Sequence, residues 1–258
     1  MKRIVVVALV AALLTLVFSV GCELVEMTGS GDLETKEFDF SDFTRVEVGS
    51  AFEVKVDQSD SYSVSVTADD NLFDRIEVSK QGSTLKIDVK RATLLRATLE
   101  AEITMPELRG VDLSGATHGT MSGFSSTENL DIELSGASSL DMVEMSAGDV
   151  KLRISGASRA SGDVAAGDVE FDLSGASTVE LQGSAGDIVV DGSGASRVKL
   201  GGFSVNNADV NLSGASTGTV NLDGTLDADL SGASKLSYIG QPTMGTINTS
   251  GASTIGKE

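Results

Sequence analysis

The chain has no tryptophan, two tyrosines, two prolines, one cysteine and one histidine in 258 residues. A globular enzyme of this length ordinarily places more aromatic volume in its interior. A lone cysteine, Cys22, excludes an intramolecular disulfide. A lone histidine, His118, leaves little for acid–base or metal chemistry. Basic residues are also scarce: 19 Lys and Arg stand against 38 Asp and Glu, a net charge of −19. Such a polyanion repels nucleic acid and excludes it as a partner. The acidity keeps a β-rich protein soluble and discourages edge-to-edge pairing; binding of a cation or a basic partner is the sharper alternative. Glycine, by contrast, is abundant, with 29 copies. Small residues at this density suit a narrow interior repeated along an axis.

The N-terminus has the layout of a secretory signal. Lys2 and Arg3 precede an apolar run from Ile4 to Val20 that only Thr15 and Ser19 interrupt, and Gly21-Cys22 follows before the sequence turns acidic. Gly21-Cys22 resembles the lipobox of bacterial lipoproteins, whose cysteine is diacylated and becomes the mature N-terminus. Ser19 stands where that pattern prefers Leu. The expectation is a signal peptide over 1–21 and a lipid on Cys22, with an uncleaved membrane-spanning helix as the other route to the membrane. Residues 22–35 read as the lipidated cysteine and a flexible leash.

A tetrapeptide repeats through the rest of the chain. Ser-Gly-Ala-Ser, or its Thr variant, begins at Ser114, Ser135, Ser155, Ser174, Ser193, Ser213, Ser231 and Ser250, at intervals of 18 to 21 residues. Period-2 alternation precedes each copy: Leu130, Ile132 and Leu134 alternate with Asp131 and Glu133, and Val169, Phe171 and Leu173 with Glu170 and Asp172. That pattern is a strand with one buried face. A second strand follows, with Val179 and Leu181, or Val198 and Leu200, pointing in. Turns such as Ala166-Gly167-Asp168 close the unit. Each repeat therefore predicts strand, corner, strand and turn, and stacking sets like residues about 4.8 Å apart. The fold expected is all-β: a single-chain parallel β-helix with rungs of about 19 residues, right-handed because unit length varies. Eight rungs cover 109–255. The corner glycines are Gly115, Gly136, Gly156, Gly175, Gly194, Gly214, Gly232 and Gly251, with the adjacent Ala small enough to turn against the rung below.

Residues 36–108 lack the tetrapeptide but contain strand patterns at 45–48, 52–56, 62–66, 76–78, 85–89 and 99–105, and Asp69-Asp70-Asn71 predicts a capped helical turn. They read as irregular first rungs and a cap, which an open solenoid end requires. The run Phe38-Asp39-Phe40-Ser41-Asp42-Phe43-Thr44-Arg45-Val46 with Phe52-Glu53-Val54 resembles the opening of the GIN domain. Ala68-Asp69-Asp70-Asn71-Leu72, Thr104-Met105-Pro106-Glu107-Leu108 and the Leu-Ser-Gly-Ala-Ser repeats do so as well. The resemblance covers nearly all of residues 36–255. It implies a β-helical, exported domain of the autotransporter-adhesin head type, common in lipoproteins of the bacterial envelope. It supplies no catalytic residues.

Chemistry in the repeats is sparse. His118 occupies the position filled elsewhere by Ser139, Arg159, Thr178, Arg197, Thr217, Lys235 and Thr254, so it reads as an ordinary outward residue. Eight equivalent serines are a corner, not a nucleophile. Two outward columns carry the acids: Asp112, Glu133, Arg153, Asp172, Asp191, Asn211, Asp229, and Asp131, Lys151, Glu170, Val189, Asp209, Asp227. Three readings apply to them: a solvated face that opposes aggregation, a weak Ca²⁺ or cationic-partner surface with Asp172, Asp191 and Asp229 as candidates, or a glycosidase pair. Turn acids Asp149, Asp168 and Asp187, with Asn129 and Asn207, read as turn-stabilising Asx residues. The function expected is a non-catalytic, adhesin-like binding or scaffold lipoprotein without a cofactor, whose partner is an envelope protein or a glycan. A carbohydrate-active β-helix enzyme is the alternative.

Overall fold

A computed structural model describes residues 25–90 and 92–258. Residues 1–24, including the expected signal and Cys22, lie outside the described residues. Two long sheets of eleven and twelve strands face each other, with a two-stranded sheet beside them. Each repeat gives one strand to each long sheet. Leu130–Leu134 lies in the eleven-stranded sheet, and Ser139–Ser146 lies across the corner in the twelve-stranded one. The next repeat stacks on it in parallel, Leu130 opposite Val150 and Leu134 opposite Ile154. The same register carries through to Thr225–Leu230, and Thr243–Thr249 continues the stack with a register shift between Leu226 and Ala228. The chain is thus a parallel β-solenoid, as its repeat period dictates.

Alternation fills the interior. Leu130, Ile132 and Leu134 are at most 3% exposed, while Glu133 between them faces solvent. Phe171 and Phe203 provide the largest side chains inside the repeats and are fully buried. With about 2 kcal/mol per buried aliphatic side chain, several such residues per rung give each layer its own hydrophobic stabilisation.

The corners follow from glycine. All eight have φ between 70° and 75°, a region costly for any residue with a Cβ. From Ala137 onward each following Ala N–H donates to the glycine carbonyl of the rung below, as Ala176 does to Gly156 at 2.8 Å. Space is as restrictive as dihedral angle: a Cβ on Gly175 would sit 2.5 Å from that Gly156 oxygen. The structure corrects one detail of the sequence reading. The alanines are exposed, and the residue that turns inward is the last of the tetrapeptide. Thr117, Ser138, Ser158, Ser177, Ser196, Ser216 and Ser234 are at most 1% exposed. A buried hydroxyl needs a partner, and at several corners the carbonyl three residues back supplies one: Ser216 Oγ donates to the Ser213 carbonyl at 2.8 Å, and Ser234 Oγ to that of Ser231 at 2.9 Å, whereas Ser177 Oγ meets no partner. Serine closes the corner from inside.

The first part of the chain builds its layers out of sequence order. Arg45–Val48 and Glu53–Gln58 lie in parallel under the first repeat. Thr84–Val89 and Leu99–Met105 lie in parallel beneath those. Antiparallel strands then finish both sheets: Ile76–Gln81 in one, and Ser63–Asp69 followed by Leu33–Glu37 in the other. The leash expected over 22–35 is not one throughout. Val25–Thr28 pairs with Ala92–Leu95, and Leu33–Glu37 is an edge strand of the cap. The turn at Asp70–Leu72 is a short 3₁₀ helix, but Asp69 does not cap it with its side chain. Its buried carboxylate instead accepts the N–H groups of Gly31, at 2.7 Å, and Thr98, at 2.8 Å. Asp69 thereby ties the entering segment to the cap, and those two backbone bonds hold its carboxyl below the usual carboxylate range.

Candidate binding surfaces

The parallel register turns the alternating acids of the eleven-stranded sheet into straight columns. Asp112, Glu133, Arg153, Asp172, Asp191, Asn211 and Asp229 are successive neighbours, as the repeat spacing predicts. The cap extends the column, because Glu47 lies against Asp112 and Lys86 against Glu47. Lys86 pairs with Glu47, leaving Asp112 between two glutamates. Burial first, then Glu133 and Glu47, push the Asp112 carboxyl above the usual range. Asp172, Asp191 and Asp229 line one shallow groove of about 280 Å³ together with Asn211, Ser193 and Ser213. Asn211 separates Asp191 from Asp229 in register, so the three candidate carboxylates do not converge on a point. Among the described residues no three His, Cys, Asp or Glu side chains are grouped to hold a metal ion.

The neighbouring column runs Arg45, Gly110, Asp131, Lys151, Glu170, Val189, Asp209 and Asp227. Gly110 is the gap that lets Arg45 reach over one rung: its Nη1 lies 3.2 Å from Asp131, and a Cβ on Gly110 would meet the guanidinium at 2.5 Å. Lys151 pairs with Glu170. Beyond exposed Val189 the column is acidic again, and burial, then Asp227 and Asp191, raise the Asp209 carboxyl. This wall therefore passes from paired charges near the cap to unrelieved negative charge near Asp229. A groove of about 420 Å³ lies between this column and the turn acids, lined by Asp131, Lys151, Glu170 and Asp168 among others.

The turn acids bond from rung to rung. Asn129 Oδ1 accepts from the Asp149 N–H, Asp149 from Asp168, Asp168 from Asp187, and Asn207 from Thr225, at 2.8 to 3.0 Å. They are an inter-rung ladder, where local spacing suggests Asx bonds within each turn.

His118 lies in the twelve-stranded sheet with Glu53 on one side and Ser139 on the other, and its Nδ1 is hydrogen-bonded to Ser139 Oγ. Carboxylate, imidazole and hydroxyl in a row suggest a hydrolytic triad, but the backbone N–H groups beside it are not free to form an oxyanion site. Here the N–H of His118 is bound to Phe52 and that of Ser139 to Thr117. Glu53 escaped the sequence reading because it precedes His118 by a whole cap. Further along this sheet Glu180 is held by Arg159, at 2.7 Å, and Lys199, at 3.3 Å, which keep its carboxyl below the usual range. One wall is acidic and the other carries mixed, cross-linked charge.

Several solved structures share this fold. One from Parabacteroides merdae, described as a "putative adhesin", superposes with a TM-score of 0.84 at 18% identity, covering 91% of this chain and 99% of the other. Two from Parabacteroides distasonis, described as a "putative adhesin" and a "Putative lipid binding protein", give TM-scores of 0.84 and 0.79 at 19% identity. Each covers 90% of this chain, and 100% and 99% of the other chains are covered in turn. No curated protein matches. The family model described as "Putative auto-transporter adhesin, head GIN domain" matches residues 42–242, and the chain belongs to that family.

Proposed function

We propose that this chain is an exported binding or scaffold lipoprotein of the bacterial envelope, tethered through Cys22 and non-catalytic. One observation carries the reading: the outward side chains of the eleven-stranded sheet form in-register columns from Asp112 to Asp229, an extended surface that repeats from rung to rung. Recognition along such a surface suits an elongated envelope glycan or a protein edge, which meets equivalent groups at each rung. A lipid held inside the repeats finds little support, because their inward side chains are packed against one another. Screening the protein released after Cys22 against envelope glycans and envelope proteins tests the role. Saturable binding without turnover supports it, whereas cleavage of a glycan would establish the carbohydrate-active alternative. Replacing Cys22 with Ala should abolish labelling by a fatty-acid analogue and free the protein from membranes. Membrane retention without labelling of the unmodified chain would instead support an uncleaved helix.

A further inference from the structure

The two ends of the solenoid are finished differently. At the cap, the edge strand Leu33–Glu37 carries a Lys36–Glu34 pair, and Glu77 of the other edge strand, Ile76–Gln81, pairs with Lys90. Charged edges of this kind refuse another strand. At the far end, Thr243–Thr249 pairs with Thr225–Leu230, and Thr254–Lys257 with Lys235–Ile239. Their outer edges meet no strand among the described residues. Leu236 to Gly256 is the longest stretch of the chain without Asp, Glu, Lys or Arg, 21 residues in a protein of net charge −19. The interior is open there too. Met244 is 43% exposed, whereas its neighbour one rung below, Leu226, is fully buried. Ile247 and Ile255 are only partly covered.

We propose that this face docks a second copy of the chain, end to end about a two-fold axis, with the edge strands of the two copies pairing antiparallel. Three observations select that occupant. A chain of net charge −19 meets its own copy with least repulsion where 21 residues carry no charge. A two-fold contact is self-complementary, so strands of equal length and identical open interiors cover one another. The charged antiparallel cap closes the opposite end, so the assembly stops at two instead of growing into a fibre. With its outward side chains a rung presents a face of about 30 Å by 20 Å, so a dimer buries about 1,200 Å², the lower limit for specific interfaces. The association is accordingly weak, in the micromolar range, and independent of whatever the walls bind.

Density-matched sedimentation velocity of the full chain in a neutral detergent, from about 1 to about 100 μM, brackets such an affinity. The expected result is a monomer that becomes a dimer as concentration rises. Met244→Asp sets two new carboxylates on the contact and should leave a monomer throughout the range. Val189→Asp changes the charge equally on an exposed wall position and should dimerise as the unmodified chain does. Thermal melts at about 1 μM, where the parent is a monomer, should match the parent for both variants, because both positions are exposed. In the parent, amide exchange over Thr243–Thr249 should slow with concentration and in Met244→Asp it should not. A monomer at every concentration, or a dimer that survives Met244→Asp, overturns the proposal. Association carried by the N-terminal apolar run would persist in that variant and is thereby distinguished.

Discussion

Replacing Gly175 with Ala isolates what a corner glycine contributes. Two penalties are built into the site. At φ 73° a residue with a Cβ carries left-handed strain of about 1 kcal/mol. The added Cβ also falls 2.5 Å from the Gly156 oxygen, so the two rungs must separate locally. That separation weakens the 2.8 Å bond from the Ala176 N–H, worth about 1 kcal/mol, and adds at least about 1 kcal/mol of overpacking. The sum is about 3 kcal/mol, or about 6–12 °C in the melting temperature for a chain of this size. Gly82 is the natural comparison. Its φ is 61°, yet a Cβ added there would meet nothing within 4 Å, so Gly82→Ala incurs the dihedral strain alone and should fall by about 2–4 °C. Thermal melts followed by circular dichroism compare the two, and amide exchange at Ala176 reports whether the loss is local. Equal shifts for the two variants would refute the claim that close approach between rungs, more than backbone conformation, demands glycine at the corner.

Asp168→Ala removes the acceptor of the Asp187 N–H and should lower stability in urea by about 1 kcal/mol, whereas Asp168→Asn keeps that acceptor and should cost little. Asp112→Asn tests the crowded acidic column. Its folded carboxyl is raised by burial and by Glu133 and Glu47, so the charged form opposes folding above that pKa, and protonation relieves it below. The variant should therefore be more stable than the parent at neutral pH, with the gain fading as the pH falls into the carboxylate range; a gain independent of pH would contradict this. Changing Asp172, Asp191 and Asp229 together to Asn should leave stability equal or slightly raised and increase aggregation, because repulsion along the wall falls. Millimolar Ca²⁺ should not shift the melting temperature of the unmodified chain, and a shift abolished by the triple change would establish a cation site there.

The repeats were legible because their register leaves no freedom. A one-residue slip would turn Leu130, Ile132 and Leu134 out to solvent, so alternation and the period together are enough to place Asp172 beside Asp191. The corner was half legible. Glycine announces a positive φ, but that the last residue of the tetrapeptide and not Ala faces the interior, where Ser216 Oγ finds the Ser213 carbonyl three residues back, is information that period-2 patterns do not carry. The cap was the least legible part. Its strand positions follow from local alternation, yet their order in space does not, because Thr84–Val89 inserts between two strands that precede it in the chain. The pairing of Arg45–Val48 and Glu53–Gln58 with the first repeat sets Glu53 against His118 and Glu47 against Asp112 across 65 residues of sequence. It also explains the acid left over at the far end of the wall. Arg45, Lys86 and the other cap cations compensate the first rungs, whereas Asp209, Asp227 and Asp229 lie many rungs away, beyond the Debye length of about 8 Å at physiological salt. The polarity of the wall thus follows from the cap cations together with Lys151 and Arg153 of the early repeats. A ligand that reads the acidic wall should engage the rungs around Asp191 and Asp229 first, where no lysine or arginine competes for the carboxylates.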